Sequence, residues 1–247
     1  MDYKHKHLLL IVISAILIVT LPWFINIGWE AIPIILLLCN LTKGVGSEVG
    51  AHRLWSHKSF ETSWLWERVI IVLNTLSGEG SILAFAGVHR LHHKYSDTDR
   101  DPHNPHTHLW STIFYQHNTD EFNGRIVRDL ISDRWLVFQH KHYFKLQAII
   151  MLALALISTT ALWYYAVNVW MTIWINFLVN VVCHRYGPKD NQVDNTSTNN
   201  QWAGIFLLGA NLHNNHHAEP SRYDNAYGRY HFDIWASIIR KIQTKNG

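Results

Sequence analysis

Charge is scarce in this sequence. Asp, Glu, Lys and Arg make up 16% of the 247 residues, against about 25% in a typical soluble domain. What charge there is avoids two stretches. From His7 to Thr42 the only formally charged residue is Glu30, and from Leu146 to Val182 there is none. Uncharged blocks of this length read as membrane-crossing segments. The mean hydropathy of -0.04 averages over two unlike kinds of sequence and conceals them. Cysteine is nearly missing as well. Cys39 and Cys183 lie at the ends of apolar runs and form neither a disulfide framework nor a Cys-X-X-Cys pair. A net charge of +3 without an arginine-rich tract gives no ground for a nucleic-acid partner. No solenoid-type repeat and no linker-bounded second domain is visible, so residues 1–247 read as one membrane domain.

The apolar blocks predict an all-α integral membrane protein with four transmembrane helices in two hairpins. The spans are expected at about 8–27, 31–50, 146–165 and 167–185. Lys4 and Lys6 before the first apolar run also suit a secretory signal, but Pro22, Trp23 and Phe24 stand where small cleavage-site residues would be. Neither hairpin turn holds a Lys or Arg. The positive-inside rule therefore places both termini, residues 51–145 and residues 186–247 in the cytoplasm. Leu65 to Ala86, broken by Glu67, Arg68, Asn74 and Glu79, reads as one or two amphipathic helices lying on the membrane or capping the site, with a fifth span as the alternative. Trp23, Trp29, Trp163 and Trp170 are expected at membrane interfaces.

Histidine is what the sequence has in excess, at 18 residues. Three spacings stand out: His52-Arg-Leu-Trp-Ser-His57, His89-Arg-Leu-His92-His93 and His213-Asn-Asn-His216-His217. In a helix, residues four apart share a face and neighbours point about 100° apart. A His-X-X-His-His box therefore suits two ions side by side better than one. Imidazole without thiolate argues against structural zinc, the His-Glu-X-X-His protease pattern is missing, and a redox need favours iron. No histidine is expected at mid-bilayer. A bis-histidine haem carrier, or a metal transporter with ionisable residues inside the membrane, therefore fits poorly.

These boxes resemble those of the membrane fatty acyl desaturases of the stearoyl-CoA type. The resemblance rests on Gly50-Ala-His-Arg-Leu-Trp-Ser-His57 with Lys58-Ser-Phe60 after it. It continues in His89-Arg-Leu-His-His-Lys-Tyr-Ser96, Asp101-Pro-His-Asn104 and His213-Asn-Asn-His-His217, and extends to about Trp235. It implies two iron ions that activate O2 and remove two hydrogens from a long-chain acyl substrate, giving a cis double bond at a delta-9-like position. The substrate would be carried on CoA, a carrier protein or a lipid. It implies His52, His57, His89, His93 and His217 as ligands of one iron, and His92, His184, His213 and His216 as ligands of the other. Asn180 would contact the second iron through water. The chain departs from the family in Gly209-Ala-Asn211, where Gly-Glu-Gly is common, and in Asn176-Phe177, where the acyl tunnel has Thr-Trp. Phe85, Asn176 and Phe177 are the tunnel candidates. With no cytochrome b5-like extension after Gly247, electrons are expected from a separate donor such as ferredoxin or cytochrome b5.

Metal-bound histidines usually give their second ring N–H to a carboxylate or carbonyl. Glu48, four before His52, Asp97, four after His93, and Asp101 and Glu219 close behind their boxes are the candidates. His103 belongs to the family signature but not to its ligands. His106 and His108 are expected on the surface. A hydroxylase on the same scaffold would use the same ligands, and the Lys58-Ser-Phe60 tail favours the desaturase.

Overall fold

The computed structural model of the chain describes residues 2–107, 109–115, 117 and 122–244. Among these there is no β-strand, only two isolated bridges, Thr62 with Gln243 and Asn199 with Leu212. Helix α1 spans Tyr3–Thr20 and starts where the Asp2 carboxylate accepts the His5 backbone N–H. A 3-10 turn with Pro22 follows. Helix α2 spans Ala31–Ser56 and from Asn40 onward is wound in the wider π form. Helices α3 (Trp64–Ser77) and α4 (Ile82–Tyr95) meet at an 82° bend. Then come α5 (Leu109–Ile113), α6 (Arg134–Ile157), α7 (Thr159–Asn180), α8 (Gly204–Leu207), α9 (His213–Ala218) and α10 (Ile234–Ile242).

Among the described residues three helical stretches are long and apolar enough to cross a membrane: Tyr3–Trp23, Ala31–Ser56 and Thr159–His184. The bent pair α3–α4 makes a fourth if counted as one. The first two stretches overlap the helices expected at 8–27 and 31–50. The second pair of helices differs from the expectation. Its turn is Ser158, not residues 165–167, so the helices there are Arg134–Ile157 and Thr159–Asn180 rather than 146–165 and 167–185, and of the two only the stretch Thr159–His184 is long and apolar enough to cross a membrane. The deciding signal is a cap. Ser158 is extended, and its hydroxyl accepts the Ala161 N–H, the role serine prefers at a helix start. Helix α6 begins inside the charged region at the Asp133 cap and carries Lys141 and Lys145 in its first half. That composition keeps it out of the apolar set.

One core joins α2, α3, α4, α6 and α10, with Val49, Ile70, Ile82, Leu136 and Ile239 all fully buried. Two glycines make its geometry possible. Gly78 takes φ 76, in the left-handed region, and ends α3 so that α4 can leave at the bend. Gly46 lets α2 approach α3: a Cβ there would lie 2.4 Å from the Asn74 backbone nitrogen. Ionic ties reinforce the packing. Arg53, 1% exposed, donates to Glu48 at 3.1 Å, to Asp233 at 2.8 Å and to the Tyr223 carbonyl at 2.6 Å. It thereby fastens α2 to the chain leading into α10.

A methyl group at position 46 has only backbone to push against. Gly46→Ala should cost about 1–3 kcal/mol of stability, seen as a lower melting temperature of the detergent-solubilised protein. An unchanged melting temperature would contradict the close α2–α3 approach.

Candidate metal centre

The three boxes arrive from separate directions. His52 stands near the end of α2 and His57 just past it. The π winding bonds residues five apart, and the His57 N–H reaches the His52 carbonyl at 3.1 Å. The wider turn brings two histidines five apart toward one side, which an ordinary α-helix would not do. His89, His92 and His93 form the last turn and a half of α4. His213, His216 and His217 lie on the six-residue α9, too short to persist alone. Asn199 holds it: its side-chain oxygen accepts the N–H groups of Asn214 at 3.0 Å and Asn215 at 3.2 Å. Asn191 and Asn199 both donate to the Asn215 side chain. His184 follows α7 in a 3-10 turn and is 1% exposed.

Nine imidazoles converge in two groups. His52, His57, His89, His93 and His216 form one; His92, His184, His213 and His217 form the other. Within each group, one potential ligand atom per residue lies within 4.8 Å of the rest. The contacts are Nε2 to Nε2. In the first group His57–His89 is 2.7 Å, His93–His216 is 2.9 Å and His52–His216 is 3.0 Å. In the second, His184–His213 is 3.0 Å, His213–His217 is 3.1 Å and His92–His217 is 3.3 Å.

The expected partition is corrected at two positions. His216 joins the first group and His217 the second. On α9, His217 is four residues from His213 and shares its face, while its neighbour His216 turns to the other side. The α4 box does the same: His89 and His93 share one group and His92 serves the other.

Carboxylates sit behind three rings. His52 Nδ1 is 3.0 Å from Glu48, His92 Nδ1 is 2.9 Å from Asp101, and His184 Nδ1 is 3.2 Å from Asp97. Glu48 and Asp101 are therefore placed as the sequence suggests. Asp97 is not, for it orients His184 rather than His93. Helix α4 ends at Tyr95, and Asp97 turns away at φ 63, so its helical spacing from His93 no longer holds. There it also accepts from the Thr196 backbone and hydroxyl at 2.6 and 2.9 Å. The sequence contains no local signal for this link across α7. Glu219 is not brought to the centre. Helix α9 stops at Ala218, and the half-exposed Glu219 pairs with Arg222.

The donor set fits metal ions. A carboxylate on Nδ1 keeps the proton there and leaves the Nε2 lone pair free. Neutral rings that crowd their lone pairs at about 3 Å lack attraction for one another and are suited to a shared cation. Burial first, and neighbouring histidines second, push His57, His213, His216 and His217 well below the usual imidazole value. They are neutral, as ligands must be. Nitrogen-only coordination by two adjacent groups suits a redox metal better than calcium or magnesium.

The sequence pattern of the fatty acid desaturase family matches residues 27–241. The chain belongs to that family. An sn-1 stearoyl-lipid 9-desaturase of Anabaena variabilis is 30% identical over 200 residues, 78% of this chain and 73% of its own. A second sn-1 stearoyl-lipid 9-desaturase, from Synechocystis, is 28% identical over 231 residues, 90% and 71% of the two chains. A Caenorhabditis elegans delta-9 fatty-acid desaturase is 32% identical over 197 residues, 73% of this chain and 58% of the relative.

In this desaturase a cavity of about 550 Å³ opens onto both histidine groups. His52 and His89 line it from the first group and His213 from the second. Asp2, Tyr3, Lys4 and His140 line it at the start of α1 and on α6. Phe85 lines it and stacks on His89 with ring centres 5.5 Å apart. Asn176 and Asn180 also line it. Phe177 does not. It packs on Trp174 instead, with ring centres 5.8 Å apart. His103 is buried, stacks on His92 at 4.2 Å and forms a third, smaller group with His92 and Asp101. His106 is on the surface and bonds the Thr196 hydroxyl. His108 lies outside the described residues.

Asp97→Asn tests the link the sequence hides. It should loosen metal in the second group by about tenfold to a hundredfold, measured by chelator competition on purified protein. Unchanged metal retention would remove Asp97 from the centre's support.

Proposed function

We propose that this enzyme introduces a cis double bond, at a delta-9-like position, into a long-chain acyl substrate carried on CoA, a carrier protein or a lipid. The observation that carries the reading is the opening of one cavity of about 550 Å³ onto two adjacent all-histidine groups. Two iron ions, one in each group, would supply the O2 activation and oxidising power that an unactivated hydrocarbon requires. The chain's own share is positioning. Glu48, Asp101 and Asp97 hold the Nδ1 protons of His52, His92 and His184. Phe85 covers the face of His89. Asn180, one turn before His184 on α7 and on the cavity wall, is placed to act through water. Electrons come from a separate donor of the ferredoxin or cytochrome b5 kind.

The relatives named as stearoyl-lipid 9-desaturases support the acyl substrate and the position of the double bond. In the membrane arrangement we propose, α1, α2, α6 and α7 cross as two hairpins within one domain. Ile149, Leu152, Leu156 and Ile157 of α6 are exposed, as a lipid-facing surface would be. Exposed Trp64, Leu65, Trp66 and Val72 suit α3 to the membrane surface as part of a helical cap. The absence of Lys and Arg from both turns supports a cytoplasmic side for the termini and the histidine centre.

Expression in a host lacking the activity, followed by fatty-acid profiling, tests the reaction. The expected product is lighter than its precursor by two hydrogens and carries one cis double bond. A product heavier by one oxygen atom would identify a hydroxylase. His92→Ala should abolish the new alkene, and its persistence would contradict the metal assignment.

A further inference from the structure

Beside the large cavity lies a smaller one of about 100 Å³, enclosed by α2, α7 and the turn after α8. Its walls are mostly hydrocarbon, from Leu36, Cys39, Met171, Ile175, Leu207 and Ala210. Leu36, Ile205 and Phe206 belong to the lining and are also exposed on the outer surface. Lys43 and Glu48 line both cavities, so these two residues form the partition between them. Glu48 in turn lies 3.0 Å from His52 Nδ1. The small cavity thus has exposed apolar residues at its rim and a histidine of the centre one residue beyond its wall. The walls are fixed in place. The Trp235 indole N–H donates to the Leu207 carbonyl at 3.0 Å, and its ring packs so closely on Gly44 that a Cβ there would lie 2.0 Å from it. Leu208, also on the wall, is held at φ 51, a region that bulky residues rarely occupy, and its carbonyl accepts the Ile234 N–H at 3.0 Å.

Such a hollow suits neither water nor the acyl chain. Its polar residues are engaged with other partners. Asn40 donates to the Leu36 carbonyl at 2.7 Å, and Glu48 accepts from Arg53 at 3.1 Å. Lys43 Nζ donates to Glu79 at 2.6 Å and to the Asn176 side-chain oxygen at 2.8 Å. Asn176 meets the Tyr115 hydroxyl and completes a polar wall. A buried water needs two to four polar partners. A hydrocarbon chain arriving from the large cavity would have to push Lys43 off Glu79 and leave a buried charge unpaired. Dioxygen meets neither obstacle. It is uncharged, two atoms long and needs no hydrogen bond. Being apolar, it concentrates in hydrocarbon rather than in water. During desaturation it must also reach the histidine centre while the acyl chain fills the large cavity.

We propose that the small cavity is the entry route of O2. It leads from the membrane interior between α2 and α7, past Lys43 and Glu48, to the histidine centre, apart from the path of the acyl chain. Small side-chain rotations at the partition let a two-atom molecule through, whereas a chain of methylenes must displace the ion pair. This rests on the acyl-oxidising reading above and on α2 and α7 crossing the bilayer, and it adds the route of the second substrate.

Xenon, an apolar atom that enters dry cavities, is the probe. Crystals of the purified enzyme under xenon pressure should show an atom beside Met171 and Ile175, and Met171→Trp should remove it. Steady-state kinetics of the iron-loaded enzyme give the second readout. Met171→Trp should raise the KM for O2 by about fivefold or more, with a much smaller change in kcat at saturating O2. If that variant does not fold, xenon is used on the wild type, where it should raise the apparent KM for O2 but not the KM for the acyl substrate. Desaturation with no xenon in the small cavity, or with a KM for O2 that neither the tryptophan nor xenon moves, overturns the route alone. A shift of Met171→Trp toward shorter acyl chains at an unmoved KM for O2 overturns it as well, because the acyl chain then occupies the cavity. Wild-type enzyme that oxidises no acyl chain at any O2 pressure overturns the acyl reading and the route with it.

Discussion

Everything in this fold answers to the crowding of nine imidazole nitrogens. Neutral rings that turn their Nε2 lone pairs on one another at about 3 Å gain nothing from each other. Placed around two cations, the same lone pairs become the coordination shell. The carboxylates behind the rings fix which nitrogen is bare. Glu48, Asp101 and Asp97 each occupy an Nδ1 and leave Nε2 pointing inward. Each of these acids is itself anchored. Glu48 is held by Arg53, Asp101 accepts the backbone N–H groups of Asp97 and His103, and Asp97 is held by Thr196. The centre is thus supported in layers, and disturbing an outer layer should move a ligand.

The helices serve that convergence. The π winding of α2 aligns His52 with His57. The bend at Gly78 turns α4 so that its histidine end meets α9. The asparagines around α9 replace the length that would otherwise stabilise it. Arg53 then closes the assembly by tying α2 to Asp233 at the start of α10. The result is a compact metal-binding end joined to long apolar helices, and the cavity runs between the two. Oxidising a hydrocarbon needs both parts: a metal-bearing wall and an enclosed slot that carries the chain to it.

Much of this was legible in the sequence, for physical reasons that differ by residue. Uncharged runs report an apolar environment directly, so α1 and α2 were visible, as was the second uncharged block, though not the turn that begins α7. Local spacing reports helix faces, so the boxes were visible, as was Glu48 behind His52; Asp101 was marked only as lying close after its box, not as the partner of His92. The resemblance supplied His184, which no spacing could. The exchange of His216 and His217 was readable from the same rule applied to α4, since His213 and His217 are four apart. Three features were not readable. Ser158 as the turn depended on a cap inside an apolar block, where hydropathy has no contrast. Asp97 reaching His184 depended on a left-handed residue beyond a helix end. The polar wall of Lys43, Glu79, Asn176 and Tyr115 gathers four segments, and none of these residues is remarkable in its own stretch.

Each chain is proposed to hold two metal ions, one per histidine group. Mössbauer spectroscopy combined with iron quantitation on the purified, iron-57-loaded enzyme tests it most directly. Two irons per chain are expected, magnetically coupled and ligated mainly by nitrogen. One iron per chain, or a stoichiometric zinc in its place with desaturation intact, would contradict it.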